Sequence, residues 1–214
     1  MVVPIVPVDI LRIITGYYAE DKGSLLNLLL VSQDFRRLVE PYIYASVSFL
    51  ASGMSSAAPR VGYCNFMHSI ARDSGCAHYV NSLSLPCNSF QGDHYPLFQS
   101  ILKSLSNLED LRVYPSSSPN KTKSLNFRTL FEDSKRQNSQ PPFALKAFAW
   151  YTNLLQLDSG GFEWFLASQK SLQRLSIPYN TYPSLRIPTL PKLRTIHLPS
   201  AATKTLIKTN QITR

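Results

Sequence analysis

Long uninterrupted apolar runs are missing from this 214-residue chain. None of its apolar stretches approaches the roughly 20 residues that a membrane-spanning helix needs, so no membrane partner is expected. The N-terminus is broken by Pro4, Pro7, Asp9 and Arg12 and has no basic segment ahead of it, so it does not read as a signal peptide. Cysteine is scarce. Cys64, Cys76 and Cys87 form an odd, widely spaced set that fits neither a disulfide framework nor paired zinc-ligand spacing. They read as reduced thiols in an intracellular protein, cytoplasmic or nuclear. With no secretory route, the glycosylation triplet Asn120-Lys121-Thr122 then reads as chance.

The signatures of catalysis are missing as well. There is no phosphate-cradling Gly-rich loop, no His-Glu-x-x-His and no Gly-x-Ser-x-Gly. Gly160-Gly161 marks a helix start or a turn. His68, His78, His94 and His197 show no metal-ligand spacing. Cys76 and His78 are close in the chain, but a catalytic thiol needs a base placed beside it in space. The sequence therefore predicts a protein that is not an enzyme and carries no cofactor or metal. Its net charge of +9 is spread out, apart from a cluster at Lys121, Lys123, Arg128, Lys135 and Arg136. A basic solvated surface accounts for this better than a nucleic-acid footprint does.

What is present begins at Val6. Pro7 suits the first turn of a helix and Asp9 its positive end. Ile10, Ile13, Ile14 and Tyr17 recur at helical spacing as one apolar stripe. Gly23 punctuates, and Ser24 is expected to cap a second helix through Leu25, Leu26, Leu28, Leu29 and Leu30. That helix is apolar nearly all round, so it is either buried or waiting for a partner. Ser32 caps a third helix carrying Phe35 and Leu38, which Pro41 is expected to stop. Three helices in under fifty residues need support from a second domain or a partner.

This segment resembles an F-box. The family opens on a Leu-Pro pair and an acidic residue, matched by Val6-Pro7 and Asp9, followed by apolar positions at Ile10, Leu11 and Ile14. An Asp-Leu-Leu-like turn is matched by Ser24-Leu25-Leu26. The most telling stretch, Leu-x-Val-Ser/Cys-x-x-Trp/Phe-Arg-x-Leu, stands here as Leu29-Leu30-Val31-Ser32-Gln33-Asp34-Phe35-Arg36-Arg37-Leu38, and the continuation from Val39 to Phe49 resembles the fungal form. Val6 in place of Leu and the extra Lys22-Gly23 depart from the pattern. The resemblance implies docking on the Skp adaptor of an SCF ubiquitin ligase, and through it on a cullin. It implies Pro7, Ile10, Leu11, Ile14, Leu26, Leu30, Val31 and Phe35 as the adaptor-binding residues.

Beyond residue 78 a short pattern recurs: apolar, two others, apolar, one other, apolar. It occurs at Val80/Leu83/Leu85, Leu108/Leu111/Val113, Leu145/Phe148/Trp150, Leu172/Leu175/Ile177 and Leu193/Ile196/Leu198, at intervals of 28, 37, 27 and 21 residues. Each unit predicts a short strand. Helices are predicted over 96–105, 161–170 and near 63–76. Polar stretches at 115–123 and 132–142 read as loop insertions that lengthen the one outsized interval. Trp150 and Trp164 read as core. The array resembles the irregular leucine-rich repeats that often follow F-boxes.

The expected architecture is α+β. A three-helix F-box occupies 1–50, and an irregular repeat solenoid with a short parallel sheet occupies 51–214. No strong closing cap is visible, so either the array is incomplete at its C-terminal end or 201–207 forms a partial helical cap. The solenoid's concave face is the natural substrate surface. There Arg112, Lys146, Arg174 and Arg194 predict a protein target that is acidic or phosphorylated. A repeat scaffold that never joins a ligase is the rival reading.

Overall fold

Pro7 stands immediately ahead of helix α1 (Val8–Tyr17), and its carbonyl accepts the amides of Ile10 at 3.0 Å and Leu11 at 3.3 Å. The computed structural model describes residues 6–49, 66, 69–70, 74–86, 95–114, 127–131, 140–151, 159–177 and 187–197. Helices α2 (Lys22–Leu28) and α3 (Gln33–Ala45) follow, and α3 packs against both of its predecessors. The small core between them holds Leu11, Thr15, Leu25 and Val39. Thr15 can lie there because its hydroxyl donates to the Leu11 carbonyl at 2.9 Å.

Helix α2 starts earlier than Ser24, and its cap is Asp21. The Asp21 carboxylate accepts the amides of Gly23 (3.0 Å) and Ser24 (3.3 Å), and the Ser24 hydroxyl at 2.6 Å. Gly23 thus belongs to the first turn. A carboxylate also complements the positive end of the helix, which a serine hydroxyl does not. The Ser24 hydroxyl, and then the Ser24 amide, hold the Asp21 pKa below its ordinary value. A depressed carboxylate stabilises the fold above its unfolded pKa of about 4, and that contribution disappears as pH falls through the folded value. Asp21→Ala is therefore expected to lower the melting temperature at pH 6, with the gap from wild type closing below about pH 4. Asp21→Asn should keep much of the cap and lose that pH dependence. Thermal melts across pH 2–7 (on the order of the range over which carboxylates titrate) check both.

Ser32 caps α3 by accepting the Phe35 amide at 3.2 Å. Pro41 does not stop this helix, which runs on to Ala45. An interior proline forfeits the bond to the carbonyl four residues back, here that of Arg37, and its ring crowds that carbonyl. Packing of α3 against α1 and α2 outweighs that loss.

The chain then passes without a linker into β1 (Ser46–Ser48), a strand the repeat pattern was not expected to include. Tyr44, Val47 and Phe49 nevertheless carry the same apolar spacing as the five later units, and all three pack against the main core. Strands β2 (Ser82–Pro86), β3 (Asp110–Tyr114), β4 (Ala147–Trp150), β5 (Arg174–Ser176) and β6 (Thr195–His197) complete a six-stranded sheet in sequence order, parallel throughout. The architecture is mixed α/β: packed N-terminal helices, then a parallel sheet with helices interleaved. These are α4 (Ser74–Ala77), α5 (Tyr95–Ser104), α6 (Phe127–Phe131) and α7 (Ser159–Ser168). The short α6 was not expected; it sits inside the longest interval. The predicted loop at 115–123, residues 132–139 of the one at 132–142, and the segment 201–207 lie outside the described residues.

The register explains the repeat pattern. Val47, Leu83, Leu111, Phe148, Leu175 and Ile196 are Cα partners along one continuous row. Pointing the same way, Leu85, Val113, Trp150 and Ile177 are all buried. Against this face the helices set Phe98, Ile101 and Leu102 of α5, Phe127 and Leu130 of α6, and Phe162, Phe165 and Leu166 of α7. Trp150 is core, as the pattern implied, and Trp164 is packed against the core while half-buried.

One buried polar residue ties two units together. Gln169, 1% exposed, accepts the Leu145 amide at 2.8 Å through Oε1 and donates to the Ser168 hydroxyl at 2.9 Å through Nε2. Gln169→Met is expected to fill the same space yet leave the Leu145 N–H without its acceptor. The loss should be about 1–3 kcal/mol, read from urea unfolding midpoints.

Candidate functional site

Two surfaces could carry function, and the first is on the N-terminal helices. Leu25 enters the small core while its neighbour Leu26 faces outward. After α2 the chain turns through Leu29, Leu30 and Val31. The amides of Leu30 and Val31 bond to the carbonyls of Asn27 and Leu28, both at 3.1 Å, so this corner is fixed by its own backbone. Leu30 is 86% exposed and Val31 65%. On α1 the apolar residues Ile10, Ile13 and Tyr17 also point outward, opposite the buried pair Leu11 and Thr15, and Val6 just ahead of the helix is exposed as well.

Ten of the twelve large apolar side chains exposed among the described residues fall between Val6 and Tyr42. Single exposed apolar residues are ordinary, but such a concentration on one small module is what interaction surfaces present, which makes it a candidate. Of the eight predicted adaptor contacts, Pro7, Ile10, Leu26, Leu30 and Val31 are exposed. Ile14 and Phe35 are half-buried, and Leu11, only 6% exposed, belongs to the module's core. Ile13 and Tyr17 join the exposed set. Helical spacing contained both, but spacing alone does not say which of two apolar stripes turns inward.

The second surface is the sheet face opposite the core. Its positions are Ser82, Asp110, Ala147, Arg174 and Thr195 in one row, and Ser84, Arg112, Ala149, Ser176 and His197 in the next, of which Ser84, Ala147 and Ala149 are buried. Small residues keep much of it shallow. Arg112 donates through Nε and Nη2 to both Asp110 carboxylate oxygens, at 3.1 and 2.6 Å. That hydrogen bonding pushes its pKa further above the ordinary arginine value, so the guanidinium stays charged but is already partnered. Beyond it, Tyr114 and Tyr151 pack ring to ring at 4.7 Å.

A third row leads into the strands. The carbonyl of Asn81 accepts the amides of Glu109 and Asp110, and that of Glu109 those of Lys146 and Ala147. The same pattern links Lys146 to Gln173 and Arg174, and Gln173 to Arg194 and Thr195, all at 2.7–3.0 Å. Asn81, Glu109, Lys146, Gln173 and Arg194 are therefore equivalent positions stacked along one edge. Lys146 pairs with Glu109 at 2.6 Å. The four predicted substrate contacts thus fall on different rows. Lys146 and Arg194 lie on the leading edge, Arg174 and Arg112 on the two strand rows, and two of the four carry an internal acidic partner.

His78 meets Ser106 at 3.2 Å while Cys76 is buried. Among the described residues no three His, Cys, Asp or Glu side chains converge as a metal site would require, and no helix is long and apolar enough to cross a membrane. Cys64, Cys87, His68, His94 and the side chain of Arg128 lie outside the described residues. No protein-family model, curated protein or solved structure matches the chain.

Proposed function

We propose that the chain is a substrate-recognition subunit of an SCF-type ubiquitin ligase. In this reading α1–α3 form an F-box that docks on the Skp adaptor and, through it, on a cullin. The sheet and its helices form an irregular leucine-rich-repeat solenoid that holds the protein to be modified. The observation that carries the reading is the outward display of Leu30 and Val31 within the F-box-like run Leu29–Leu38. A free chain gains nothing from leaving two branched apolar side chains in water at a rigid corner, whereas a partner interface draws its energy from such anchors. The six in-register apolar positions from Val47 to Ile196 support the repeat assignment.

The protein itself performs no transfer chemistry and needs no cofactor. It acts inside the cell by proximity, raising the effective concentration of a bound substrate at the ligase. A second reading, a repeat scaffold whose first helices only cap the sheet, is favoured by the direct passage of α3 into β1. Co-expression with the Skp adaptor separates the two. The receptor reading expects a stable complex that is lost on Ile10→Glu. A well-folded chain that ignores the adaptor would leave the scaffold.

A further inference from the structure

The two outer edges of the parallel sheet are not alike. Pairing with β2 uses the Ala45 carbonyl and the Phe49 amide, and the register turns the backbone groups of Ser46 to the outside. There the Ser46 carbonyl accepts the Lys22 ammonium, so the helical module closes this edge. At the other end the Thr195 amide bonds to the Gln173 carbonyl and the Ile177 amide to the His197 carbonyl, which commits Thr195 and His197 to β5. The N–H and C=O of Ile196, between them, therefore point away from β5. The carbonyls of Asn81, Glu109, Lys146 and Gln173 each accept two amides of the following strand. The next in that series belongs to Arg194, and among the described residues nothing donates to it. Burial agrees: Leu172 and Leu175 are fully buried, whereas their equivalents Leu193 and Ile196 are half-buried. An open edge of this kind is a template for one more strand.

The sheet itself shows what a strand beside β6 should carry. Along the leading edge the cation Lys146 pairs with Glu109 of the adjacent unit at 2.6 Å, whereas Arg194 lies next to the neutral Gln173. After Glu163 the remaining 51 residues contain eight Lys and Arg and no Asp or Glu. Charge therefore disfavours the chain's own later residues as the occupant, since they add Lys204, Lys208 and Arg214 and no acid. It disfavours a second copy as well. The β6 edge of another copy carries the same cations, and like charges side by side destabilise strand pairing. The β1 edge of another copy is closed by its Lys22.

We propose that the outer edge of β6 takes an extended acidic segment of a partner protein as a seventh parallel strand. The segment reads acid, polar, apolar, polar, apolar. Its acid stands beside Arg194 as Glu109 stands beside Lys146, and its first apolar residue continues the row that runs from Val47 to Ile196. The second residue donates its amide to the Arg194 carbonyl and accepts the Ile196 amide, and the fourth donates to the Ile196 carbonyl. Main-chain bonds hold such a strand, and its alternate side chains select it. The inference stands apart from the adaptor reading, because α3 leads into β1, the opposite edge of the sheet.

The test uses the full chain, labelled with ¹⁵N and titrated with the acetylated and amidated peptide Ser-Glu-Thr-Ile-Thr-Leu-Ser. Amide shifts should centre on Thr195, Ile196 and His197, and hydrogen exchange at the Ile196 amide should slow on binding. N-methylation of the first peptide Thr removes the donor to the Arg194 carbonyl and should weaken binding at least about tenfold. N-methylation of the peptide Ile, whose N–H points away from β6, should leave binding in place. Lys in the place of the peptide Glu should weaken binding about three- to tenfold, the effect of exchanging an attractive cross-strand charge pair for a repulsive one. Arg194→Glu should reverse that preference, and because Arg194 is exposed the variant should fold normally. Absence of shifts at Ile196, or equal losses from the two N-methylated peptides, overturns the proposal. So does an Ile196 amide already protected in the free chain. Protection that rises with protein concentration would assign the edge to a second copy, and protection independent of it to the chain's own later residues. Adaptor binding by Arg194→Glu is a separate readout, expected unchanged, so failure of the edge and failure of the receptor reading are distinguishable.

Discussion

Phe165→Ala is expected to lower the unfolding free energy by about 3–5 kcal/mol, a large share of what a domain of this kind has. Phe165 is fully buried on α7, and three aromatic rings meet it. Phe127 stacks on it at 4.7 Å, Phe131 lies nearly parallel at 6.0 Å, and Phe148 of β4 approaches edge-on at 5.3 Å. The cluster therefore joins α6, α7 and the centre of the sheet. Truncation leaves a cavity whose walls belong to three different elements, so it cannot collapse cheaply. Each well-oriented aromatic pair adds roughly 0.5–1.5 kcal/mol beyond the area it buries. Urea unfolding should show a lowered midpoint with an unchanged slope. Tyr151→Ala, at an exposed ring, serves as the control and should cost far less. A loss at Phe165 no larger than at Tyr151 would mean that the aromatic cluster does not hold α7 to the sheet.

That cluster also shows how far the sequence could be read. The positions of β2 to β6 were legible because a parallel sheet in sequence order puts each unit's central apolar residue in one row, so spacing alone identifies the strands. Strand β1 carries the same signal in Tyr44, Val47 and Phe49. It was hidden because those residues also continue the F-box-like run, and because Pro41 suggested that α3 had already ended. The α2 cap was missed for a related reason. Ser24 and Asp21 are both good caps, and only the folded backbone shows that the carboxylate reaches two amides and the serine hydroxyl together. Ion pairing across neighbouring repeats was not legible at all. The Glu109–Lys146 contact joins residues 37 apart and depends on the register of β3 against β4. From sequence, Lys146 and Arg194 look alike; among the described residues Lys146 has an acidic partner and Arg194 has none.

The same distinction between appearance in sequence and placement in the fold governs the helical module, where Leu25, Leu26 and Leu30 are chemically identical and should behave differently. Leu25→Ala removes a fully buried side chain and is expected to cost about 2–5 kcal/mol of stability. Leu30→Glu replaces a side chain that is almost entirely in water. Its effect on the stability of the free chain should stay within about 0.5 kcal/mol. In the proposed adaptor complex the order is expected to invert. An anchor at the centre of an apolar interface contributes about 2–4 kcal/mol, and a carboxylate there must also be desolvated without a partner. Leu30→Glu should then weaken adaptor binding by about 30- to 700-fold, which is that energy expressed as a ratio of dissociation constants. Calorimetric titration of the adaptor into wild-type and variant chains measures the ratio, and thermal melts of the free chains supply the stability arm. If α1–α3 were only a cap on the sheet, Leu30→Glu would be silent in both arms. A variant that leaves the free fold untouched and abolishes the complex can be produced only by a surface built to be covered.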